Sequence, residues 1–558
     1  MLCLSGIALG QRPAFDPADY FDVWIHGVDG IDLYAFQEMG LDIQGREGRE
    51  LFAYLSSDQI DQLFRMGYDL SIAPKAAAGT QAGYHTFAQL TAELQAAAAA
   101  YPNLCKLHDL GLSVQGRELW MLEISDNVGV DEDEPEFRFV STMHGDEVVG
   151  MELSLELIAD LLGGYGTDPV TTKLVDECQL WIMPLMNPDG YVAQSRYNAQ
   201  GFDLNREFPD RINDPINTPV GRPIEVQHLM NFGFTHAPVL SANFHGGSLV
   251  VNYPYDSDAN PFAAYSATPD DGLMIASSLT YAQLNPPMYQ SSVFPQGIVN
   301  GVEWYIVHGG MQDWNYVWQG CNDVTIELSN QKWPSAGTLP GYWSDNRDAM
   351  LAYMQLVLRG LRGIVTDCQT GAPLAATVRV VGVDHDVYTD PDVGDYHRML
   401  LPGTYAVEYS APGYQTQTKT GLSVTLGDAL VADVALVPSG APGPAPDIRV
   451  NGQDGPLTVS SSAFSQISIS LAAGSEAGVP KDWWISVDNG AKTYWWTLAG
   501  GWKPAVTPAY VGGLFDLPSF TIMNGKLPKG TWTVRFAVDA ADGVYQGTFV
   551  DTVVVTSN

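Results

Sequence analysis

Basic residues are scarce in this chain. Its 558 residues include 27 lysines and arginines against 64 aspartates and glutamates, which gives a formal net charge of -37. Because such a surface repels phosphate groups, we expect neither nucleic acid nor an anionic membrane as a partner. The charge also favours attraction of cationic substrates, although the simplest interpretation is a solvated acidic surface.

Cysteines and long apolar runs are also few. No run of about 18 apolar residues occurs, so no transmembrane helix is expected. The opening MLCLSGIALGQ lacks a basic segment; it fits either a truncated signal peptide ending near Ala8-Leu9-Gly10 or an ordinary N-terminus. No CxxC pair occurs, which excludes a dense disulfide framework but leaves one or two bridges open. The cysteines are Cys3, Cys105, Cys178, Cys321 and Cys368.

Composition divides the chain into six segments. The length predicts three or four domains, since a single core stops growing at about 250–300 residues. Two stretches rich in Gly, Ala or Pro are predicted to be linkers. The segments are a possible signal remnant with a small α/β unit (1–72), a linker (73–83), an α/β domain (84–361), a β-sandwich (362–437), a Pro-rich linker (438–446) and an all-β module of unknown role (447–558).

Alternating strands and helices predict the fold class of residues 84–361. Thr86 and Gln89 form a capping-box pattern before a helix, and MELSLELIADLL (151–162) predicts another helix. Apolar strands separated by helices are typical of a mostly parallel mixed sheet covered on both faces. The predicted strands are LWMLEIS (119–125), FRFVS (137–141), LWIMPLM (180–186), VLSANF (239–244) and VTIELS (324–329).

The C-terminal third consists of short alternating strands with Gly/Pro turns, which predicts two β-sandwich modules. The last module is rich in tryptophan, and two interpretations are open. The aromatic rings either fill a sandwich core or form a platform for a carbohydrate or surface ligand. The tryptophans concerned are Trp483, Trp484, Trp495, Trp496 and Trp502.

The stretch TMHGDEVVG (142–150) places His144 and Glu147 three residues apart, directly after a predicted strand. This pattern indicates either half of a metal site or two polar residues in the first turn of a helix. The strand ends of an open α/β sheet are where ligands bind. A catalytic zinc needs a third protein ligand, and His245 is the candidate because it follows an apolar strand and precedes two glycines.

Six ordered motifs resemble the zinc metallocarboxypeptidases, specifically the N/E-type branch that includes carboxypeptidases D, E, M and N. The resemblance covers residues 84–361 and extends into 362–437, which resembles the transthyretin-like domain of that branch. The motifs are HGDEVVG (144–150), MNPDGY (186–191), NAQGFDLNREFPD (198–210), HGGSLVVNYPYD (245–256), WYIVHGGMQDWNY (304–316) and CNDVTIELSNQKWP (321–334).

The resemblance implies a catalytic machinery. His144, Glu147 and His245 would bind one Zn²⁺ per chain. Glu327 would be the general base, and Arg196 would stabilise the oxyanion. Asp203 would orient the first zinc histidine.

The resemblance also implies the substrate contacts. Asn205, Arg206 and Tyr305 would hold the terminal carboxylate, for which the planar fork of arginine is suited. Asp256 and Gln312 would favour a C-terminal Lys or Arg, although Asp256 also fits a solvated turn residue.

The expected function is a secreted, periplasmic or cell-surface exopeptidase that acts on peptide or protein C-termini. Two alternatives remain: a peptidase for cell-wall or γ-linked peptides, and a catalytically silent adhesion protein on the same scaffold. The N-terminal unit is either a pro-segment or a docking module.

Overall fold

The structure is a computed structural model, and it divides the chain into two units. Unit 1 comprises Met1–Ile364, Val378–Val407 and Lys419–Asp433, and unit 2 comprises Val365–Thr377, Glu408–Thr418 and Val434–Asn558. The possible signal remnant and most of the predicted linker 73–83 lie outside the described residues. The described residues are 20–29, 32–33, 35–36, 39–73, 83–368, 370–439, 443–498 and 500–558.

Residues 20–72, here called the N-terminal module, form an antiparallel sheet with a helix. Strand β3 alternates buried and half-buried residues because one face packs on the module core. Helix α1 begins with a capping box between Ser56 and Gln59 and ends at Gly67, whose φ of 94° suits glycine. The sheet order is β2-β3-β1-β4. The elements are β1 Tyr20–His26, β2 Asp42–Glu47, β3 Glu50–Ser56, α1 Ser57–Met66 and β4 Asp69–Ile72.

The predicted α/β domain contains an eight-stranded mixed sheet in the order β11-β10-β12-β9-β7-β8-β6-β5. Its centre, from β12 through β9 and β7 to β8, is parallel. Every residue of β7, β9 and β12 is buried, as expected for parallel strands covered on both faces. The strands are β5 Cys105–Leu112, β6 Glu118–Ile124, β7 Glu136–Ser141, β8 Gln179–Met183, β9 Pro238–His245, β10 Leu249–Tyr253, β11 Ile298–Asn300 and β12 Asn322–Leu328.

Helices cover both faces of this sheet. Phe139 and Ile182 pack in the core that includes helix α3, whereas Val140 and Met183 pack in the core that includes helix α6. The predicted fold class is therefore confirmed. The helices are α2 Phe87–Ala100, α3 Val149–Gly164, α4 Pro169–Glu177, α5 Pro188–Ala193, α6 Ile224–Gly233, α7 Asp271–Ala282, α8 Pro286–Tyr289, α9 Gly301–Trp304, α10 Met311–Trp314 and α11 Leu339–Met354. Single 3₁₀ or π turns occupy Leu204–Arg206, Pro295–Gly297, Asn315–Gln319, Ala336–Thr338, Gln355–Leu358 and Gly474–Glu476.

Strands β13 to β21 occupy the region predicted as the first β-sandwich. Within unit 1, Asp270 ties this region to the α/β domain. The Asp270 carboxylate accepts hydrogen bonds from Arg398 (2.8 Å) and Tyr316 (3.0 Å) and lies 2.6 Å from His385 Nδ1. The strands are β13 Leu361–Asp367, β14 Thr377–Val380, β15 Asp386–Tyr388, β16 Asp395–Arg398, β17 Gly403–Ser410, β18 Tyr414–Gln415, β19 Gln417–Val424, β20 Leu430–Val431 and β21 Val434–Pro438.

Strands β22 to β31 form the last β-sandwich, with sheets ordered β22-β24-β29 and β23-β31-β30-β25-β26-β27. One core joins both sheets, since Ile448 and Ile467 pack in the same cluster as Trp483 and Val534. The strands are β22 Ala445–Val450, β23 Leu457–Val459, β24 Ser465–Ala472, β25 Pro480–Asp488, β26 Thr493–Thr497, β27 Gly501–Lys503, β28 Tyr510–Gly513, β29 Leu517–Gly525, β30 Gly530–Ala540 and β31 Phe549–Ser557.

The tryptophans of this module serve mainly as core. Trp483, Trp484 and Trp495 are buried. Trp483 and Trp484 pack in different clusters, because neighbouring residues of a strand point to opposite faces. Trp496 and Trp502 are half-buried partners across β26 and β27. Three of the five rings are thus unavailable to a carbohydrate platform.

Two further expectations concern the described part of the chain. None of its helices is both long and apolar enough to cross a bilayer. Cys105, Cys178, Cys321 and Cys368 are all free thiols, so none of these four takes part in the bridges that the sequence left open.

Candidate metal centre

The site lies at the carboxyl ends of the central parallel strands. Strand β9 ends at His245, and the paired strand β12 places Glu327 directly beside it in register. Strand β7, on the other side of β9, ends at Ser141, three residues before His144. Parallel strands bring their carboxyl ends to one edge, so residues distant in sequence meet there.

His144, Glu147 and His245 converge on one point. Their ligand atoms all lie within 4.8 Å of one another, and all three residues are buried. His245 Nδ1 lies 2.8 Å from Glu147 Oε2 and 3.0 Å from His144 Nδ1. His144 Nδ1 lies 2.9 Å from the same Glu147 oxygen. The sequence prediction that these three belong to one site agrees with this arrangement.

The residues fit a zinc ion. The other ring nitrogen of His144, Nε2, lies 2.9 Å from Asp203 Oδ1, so that nitrogen carries the proton and Nδ1 offers a lone pair. Together with His245 and Glu147 this nitrogen gives two imidazoles and one carboxylate, a ligand set that zinc takes in catalytic sites. Tetrahedral zinc with bonds of about 2.0–2.2 Å places neighbouring ligand atoms about 3.3–3.6 Å apart, slightly wider than the 2.8–3.0 Å between the three ligand atoms here.

Built-in cations compensate the carboxylates of the site. Arg196 Nε donates to Asp203 Oδ2 at 2.9 Å, and its Nη1 donates to Glu147 Oε1 at 3.1 Å. Burial by itself would raise the pKa of Asp203, but Arg196 and His144 hold that pKa well below its ordinary value. Burial likewise opposes the charge of Glu147, whose pKa is lowered by the two histidines. Both carboxyls are therefore ionised.

Glu327 lies on the same cavity in a different electrostatic state. Its Oε2 is buried without a hydrogen-bond partner among the described residues. Burial, followed by the neighbouring Glu147 carboxylate, raises the pKa of Glu327 well above the ordinary value. A carboxylate with a raised pKa beside a metal position is a stronger base than usual, so it is suited to accept a proton and return it.

Most predicted residues line one cavity of about 330 Å³. Asn205 Oδ1 accepts from the backbone N–H of Met311 at 2.9 Å, and Asn205 N–H donates to Asp203 at 2.9 Å. The lining residues are Gln44, His144, Arg196, Asn205, Arg206, His245, Asn252, Asp256, Trp304, Tyr305, Val307, Thr325 and Glu327. Among the predicted site residues, Glu147, Asp203 and Gln312 are not part of this lining.

Asp256 is buried at 3% exposure, which contradicts the alternative of a solvated turn residue. Its Oδ1 accepts from Asn252 Nδ2 at 3.0 Å. Burial and the nearby Asp313 raise the pKa of Asp256 well above its ordinary value. Gln312 is also buried, and both atoms of its amide lack a partner among the described residues.

Strand β2 of the N-terminal module reaches the same cavity, which the sequence did not predict. Arg206 Nη2 donates to the Ile43 carbonyl at 3.0 Å, and the Tyr305 hydroxyl donates to the Gln44 carbonyl at 3.1 Å. Two groups predicted to hold a substrate carboxylate thus bind backbone carbonyls of this strand. Nothing in the segment DIQGRE (42–47) signals such a contact, because the contacts use backbone atoms.

Lys332 and Asn252 are further polar residues of the site that the sequence did not single out. Lys332 Nζ lies 3.3 Å from Asp146 Oδ2 and 3.7 Å from Glu147 Oε1. Lys332 belongs to the last quoted motif, CNDVTIELSNQKWP (321–334), which was the available signal. Asn252 lies in an apolar strand, where a lone amide has no distinguishing pattern.

Comparison with known proteins gives matches to two families. The family described as zinc carboxypeptidase matches residues 90–349, and the carboxypeptidase regulatory-like domain matches residues 360–437. Carboxypeptidase M of Mus musculus is 38% identical over 358 residues, covering 60% of this chain and 79% of that protein.

Carboxypeptidase D of Anas platyrhynchos is 45% identical over 357 residues, covering 60% of this chain. The chain spans about a quarter of the length of that relative, 25%. A crystal structure of carboxypeptidase A from Helicoverpa armigera has a TM-score of 0.50 at 16% identity, covering 60% of this chain and 97% of that one. At this identity the likeness shows the fold alone.

Proposed function

Because the chain belongs to the zinc carboxypeptidase family, we propose that it hydrolyses the last peptide bond of peptides and proteins. The observation that carries this proposal is one cavity that combines the ends of His144 and His245 with Glu327 and Arg206. A metal position, a base and a cation for a terminal carboxylate are the three parts that such an exopeptidase requires.

The residues divide the chemistry among them. A zinc ion held by His144, Glu147 and His245 would supply Lewis-acid polarisation of the scissile carbonyl and a more acidic water. Glu327 accepts the proton of the attacking water and delivers it to the leaving amine. Arg196 presents its guanidinium to the oxygen on which negative charge develops.

The carboxylate contacts define the reaction as removal of a terminal residue. Arg206 grips both oxygens of the carboxylate, while Asn205 and Tyr305 donate further hydrogen bonds. An internal peptide bond has no carboxylate to offer, so its carbonyl would not be positioned for attack.

A C-terminal Lys or Arg is the proposed preferred residue. Asp256 is buried on the cavity wall and forms no ion pair with another described residue, and its raised pKa means that the carboxyl is costly to ionise alone. A substrate ammonium or guanidinium would supply the missing charge. Gln312, buried on helix α10, is the proposed second contact.

The alternatives carried from the sequence lack a comparable observation. A silent adhesion protein would not need three metal ligands beside a cavity that also contains a base and an arginine. A cell-wall or γ-linked substrate would also present a carboxylate to Arg206, but it gives no role to Asp256. A secreted or cell-surface location fits the proposed substrates and stays a proposal.

The direct test is zinc analysis combined with peptides that differ only in their last residue. The proposal expects about one zinc per chain and release of single C-terminal residues, fastest for Lys and Arg. Cleavage at internal bonds only, or zinc-loaded protein without any turnover after the N-terminal module has been removed, would contradict the exopeptidase proposal.

We further propose that the N-terminal module holds the site closed, as a pro-segment and not as a docking module. The support is the pair of hydrogen bonds by which Arg206 and Tyr305 bind the carbonyls of Ile43 and Gln44. Trp304 Nε1 also donates to the Arg46 carbonyl at 2.7 Å. A substrate carboxylate must displace strand β2 before it can reach these donors.

Two matched variants of helix α1 test this inhibition. Leu63 is fully buried in the module, whereas its neighbour Phe64 is 73% exposed. Leu63→Ala should weaken the module by about 2–5 kcal/mol and raise kcat/KM toward small peptides. Phe64→Ala should leave kcat/KM unchanged. Cutting the chain within 73–83 and removing the module should give the full increase; unchanged activity after removal would assign the module to docking.

A further inference from the structure

A second cavity lies between two acid-rich loops that are far apart in sequence. DEDEPE (131–136) leads into strand β7, and DPDVGD (390–395) leads into strand β16. Together they line a cavity of about 450 Å³ within unit 1. Its walls include Asp131, Glu134, Glu136, Asp390 and Asp395. None of the roles proposed above uses these residues.

The two loops aim carboxylates inward because each ends where a buried strand begins. Glu136 is the first residue of β7 and is 8% exposed, and Asp395 is the first residue of β16 and is 6% exposed. Asp390 shapes its loop by accepting from the N–H of Asp392 at 2.7 Å. The backbone thus presents carboxylates from both loops to one space.

Several carboxylate oxygens at this place accept no hydrogen bond from the part of the chain that the structure describes. Among the described residues, Glu136 Oε2, Asp395 Oδ1 and Asp133 Oδ1 are buried without a hydrogen bond. An unpartnered buried carboxylate is costly, and native structures rarely keep several together without a cation or water between them. His397 Nε2 lies 3.0 Å from the other oxygen of Asp395 and 3.9 Å from Asp133 Oδ1, which is beyond hydrogen-bond distance.

The groups repel one another as well. Burial and then the neighbouring Asp131 and Asp390 raise the pKa of Glu136 well above its ordinary value. Burial and adjacent carboxylates raise the pKa of Glu134 to about 8 and that of Asp131 to about 6. A multivalent cation would relieve both the burial cost and the repulsion.

We propose that this cavity binds a divalent cation, and that Ca²⁺ is the ion whose chemistry it fits. Asp131, Asp390 and Asp392 offer oxygens within 4.8 Å of one another, and Asp133, Asp395 and His397 form a second such group. Ca²⁺ takes six to eight hard oxygen ligands in flexible geometry, and the two groups offer five carboxylates with a single imidazole, whereas transition metals favour thiolate or several imidazole ligands.

The ion would link two parts of unit 1. One loop belongs to the region matched by the zinc carboxypeptidase family, and the other belongs to the region matched by the regulatory-like domain. Calcium bound between them stabilises the folded chain in proportion to its free concentration, because the unfolded chain does not hold the two loops together.

The experiment compares melting temperatures of zinc-loaded full-length protein in calcium-free buffer and with added CaCl₂. Wild-type protein should melt several degrees higher at a calcium concentration about 100-fold above Kd. Glu136→Gln and Asp395→Asn should melt at or above wild type without calcium, because repulsion is relieved, and should gain little from calcium. Variants that melt at or above wild type without calcium, but below wild type with calcium, are the result specific to a cation site.

Asp454→Asn provides the matched control, since Asp454 belongs to another group of three carboxylates, in the C-terminal module. That variant should keep the full calcium response. Terbium luminescence excited through Tyr388 and Tyr396, which also line the cavity, should appear in wild type and be displaced by Ca²⁺. If Glu136→Gln does not fold, the exposed Asp392→Asn replaces it.

Three results would overturn the proposal. The first is an absent calcium response in wild type, which would leave the cavity as a set of protonated carboxyls. The second is an equal response in wild type and in the cavity variants, which would place the ion elsewhere. The third is a response to Mg²⁺ or Zn²⁺ at lower concentration than to Ca²⁺, which would reject calcium as the ligand.

Discussion

Buried carboxylates occur in two settings in unit 1, and the settings differ in their cations. At the metal centre, Arg196 bridges Glu147 and Asp203, and His144 contacts both. In the acidic cavity, Glu136 and Asp395 keep oxygens without any partner among the described residues. The pKa values move in opposite directions as a result, downward for Glu147 and Asp203 and upward for Glu136.

The comparison teaches that burial alone does not decide the state of a carboxylate. Desolvation is the largest influence in all three cases, and it always favours the protonated form. A fixed cation within hydrogen-bond distance reverses that preference. Asp256 belongs to the second setting, and under the proposed function its missing cation comes from the substrate.

The largest effect is expected when the proton acceptor beside the metal centre is removed. Glu327→Gln should retain zinc and the fold but lose activity by at least about 10²–10⁴-fold, because proton transfer from water and to the leaving amine is lost. Turnover and zinc content measured on the same sample check this. Glu303→Gln, an exposed glutamate changed in the same way, should keep normal activity. A Glu327→Gln enzyme with near-normal kcat would reject the assignment of the base.

Removing the guanidinium of Arg196 should leave the carboxylates of the metal centre buried without a cation, like those of the acidic cavity. Arg196→Met leaves Glu147 and Asp203 buried without their guanidinium, and breaking such a pair costs about 3–5 kcal/mol. Urea unfolding of zinc-free protein measures the loss, which should shrink when zinc is restored. A zinc-free variant as stable as wild type would show that the two histidines compensate these carboxylates alone.

Asp256 tests whether a substrate can supply the cation. Wild type should prefer C-terminal Lys or Arg over Leu or Phe, and Asp256→Ala should remove about one to two decades of that preference in kcat/KM. Zinc binding should not change. Asp258→Ala is the control on the same loop. If Asp256→Ala keeps the basic preference, Asp256 does not form the specificity pocket.

The smallest effect concerns Asp270, a carboxylate that is paired with Arg398 away from the active site. Burial raises its pKa, but His385 and Arg398 lower it to about 2. The folded pKa lies below the unfolded value, so this stabilisation is complete above about pH 4 and is lost as the pH falls toward 2. It amounts to about 2 kcal/mol.

Asp270→Asn should therefore reduce stability at pH 7 by at least about that amount, because it also leaves the buried Arg398 without its carboxylate, and should show a smaller loss between pH 4 and pH 2 than wild type. Urea unfolding at several pH values measures both. An unchanged pH profile in the variant would mean that other carboxylates, such as Asp210 beside His308, account for the acid sensitivity.

The sequence by itself determined the class of the central domain and singled out the three residues that could hold a metal ion. Continuous apolar strands such as β7 and β9 are buried on both faces, and that pattern is local. The capping box at Thr86, which is also a local pattern, determined the start of helix α2. His144, Glu147 and His245 were readable because they sit in motifs at strand ends, where the sheet topology has few alternatives.

Only the tertiary structure decided what covers the site and where carboxylates lack cations. Strand β2 meets Arg206 and Tyr305 through its carbonyls, and backbone atoms leave no trace in residue identity. The loops 131–136 and 390–395 are about 250 residues apart, so their shared cavity depends on how the chain folds back. Burial of Asp256 likewise follows from surrounding chain, because a carboxylate in a turn motif is compatible with either solvent or a pocket until its neighbours are placed.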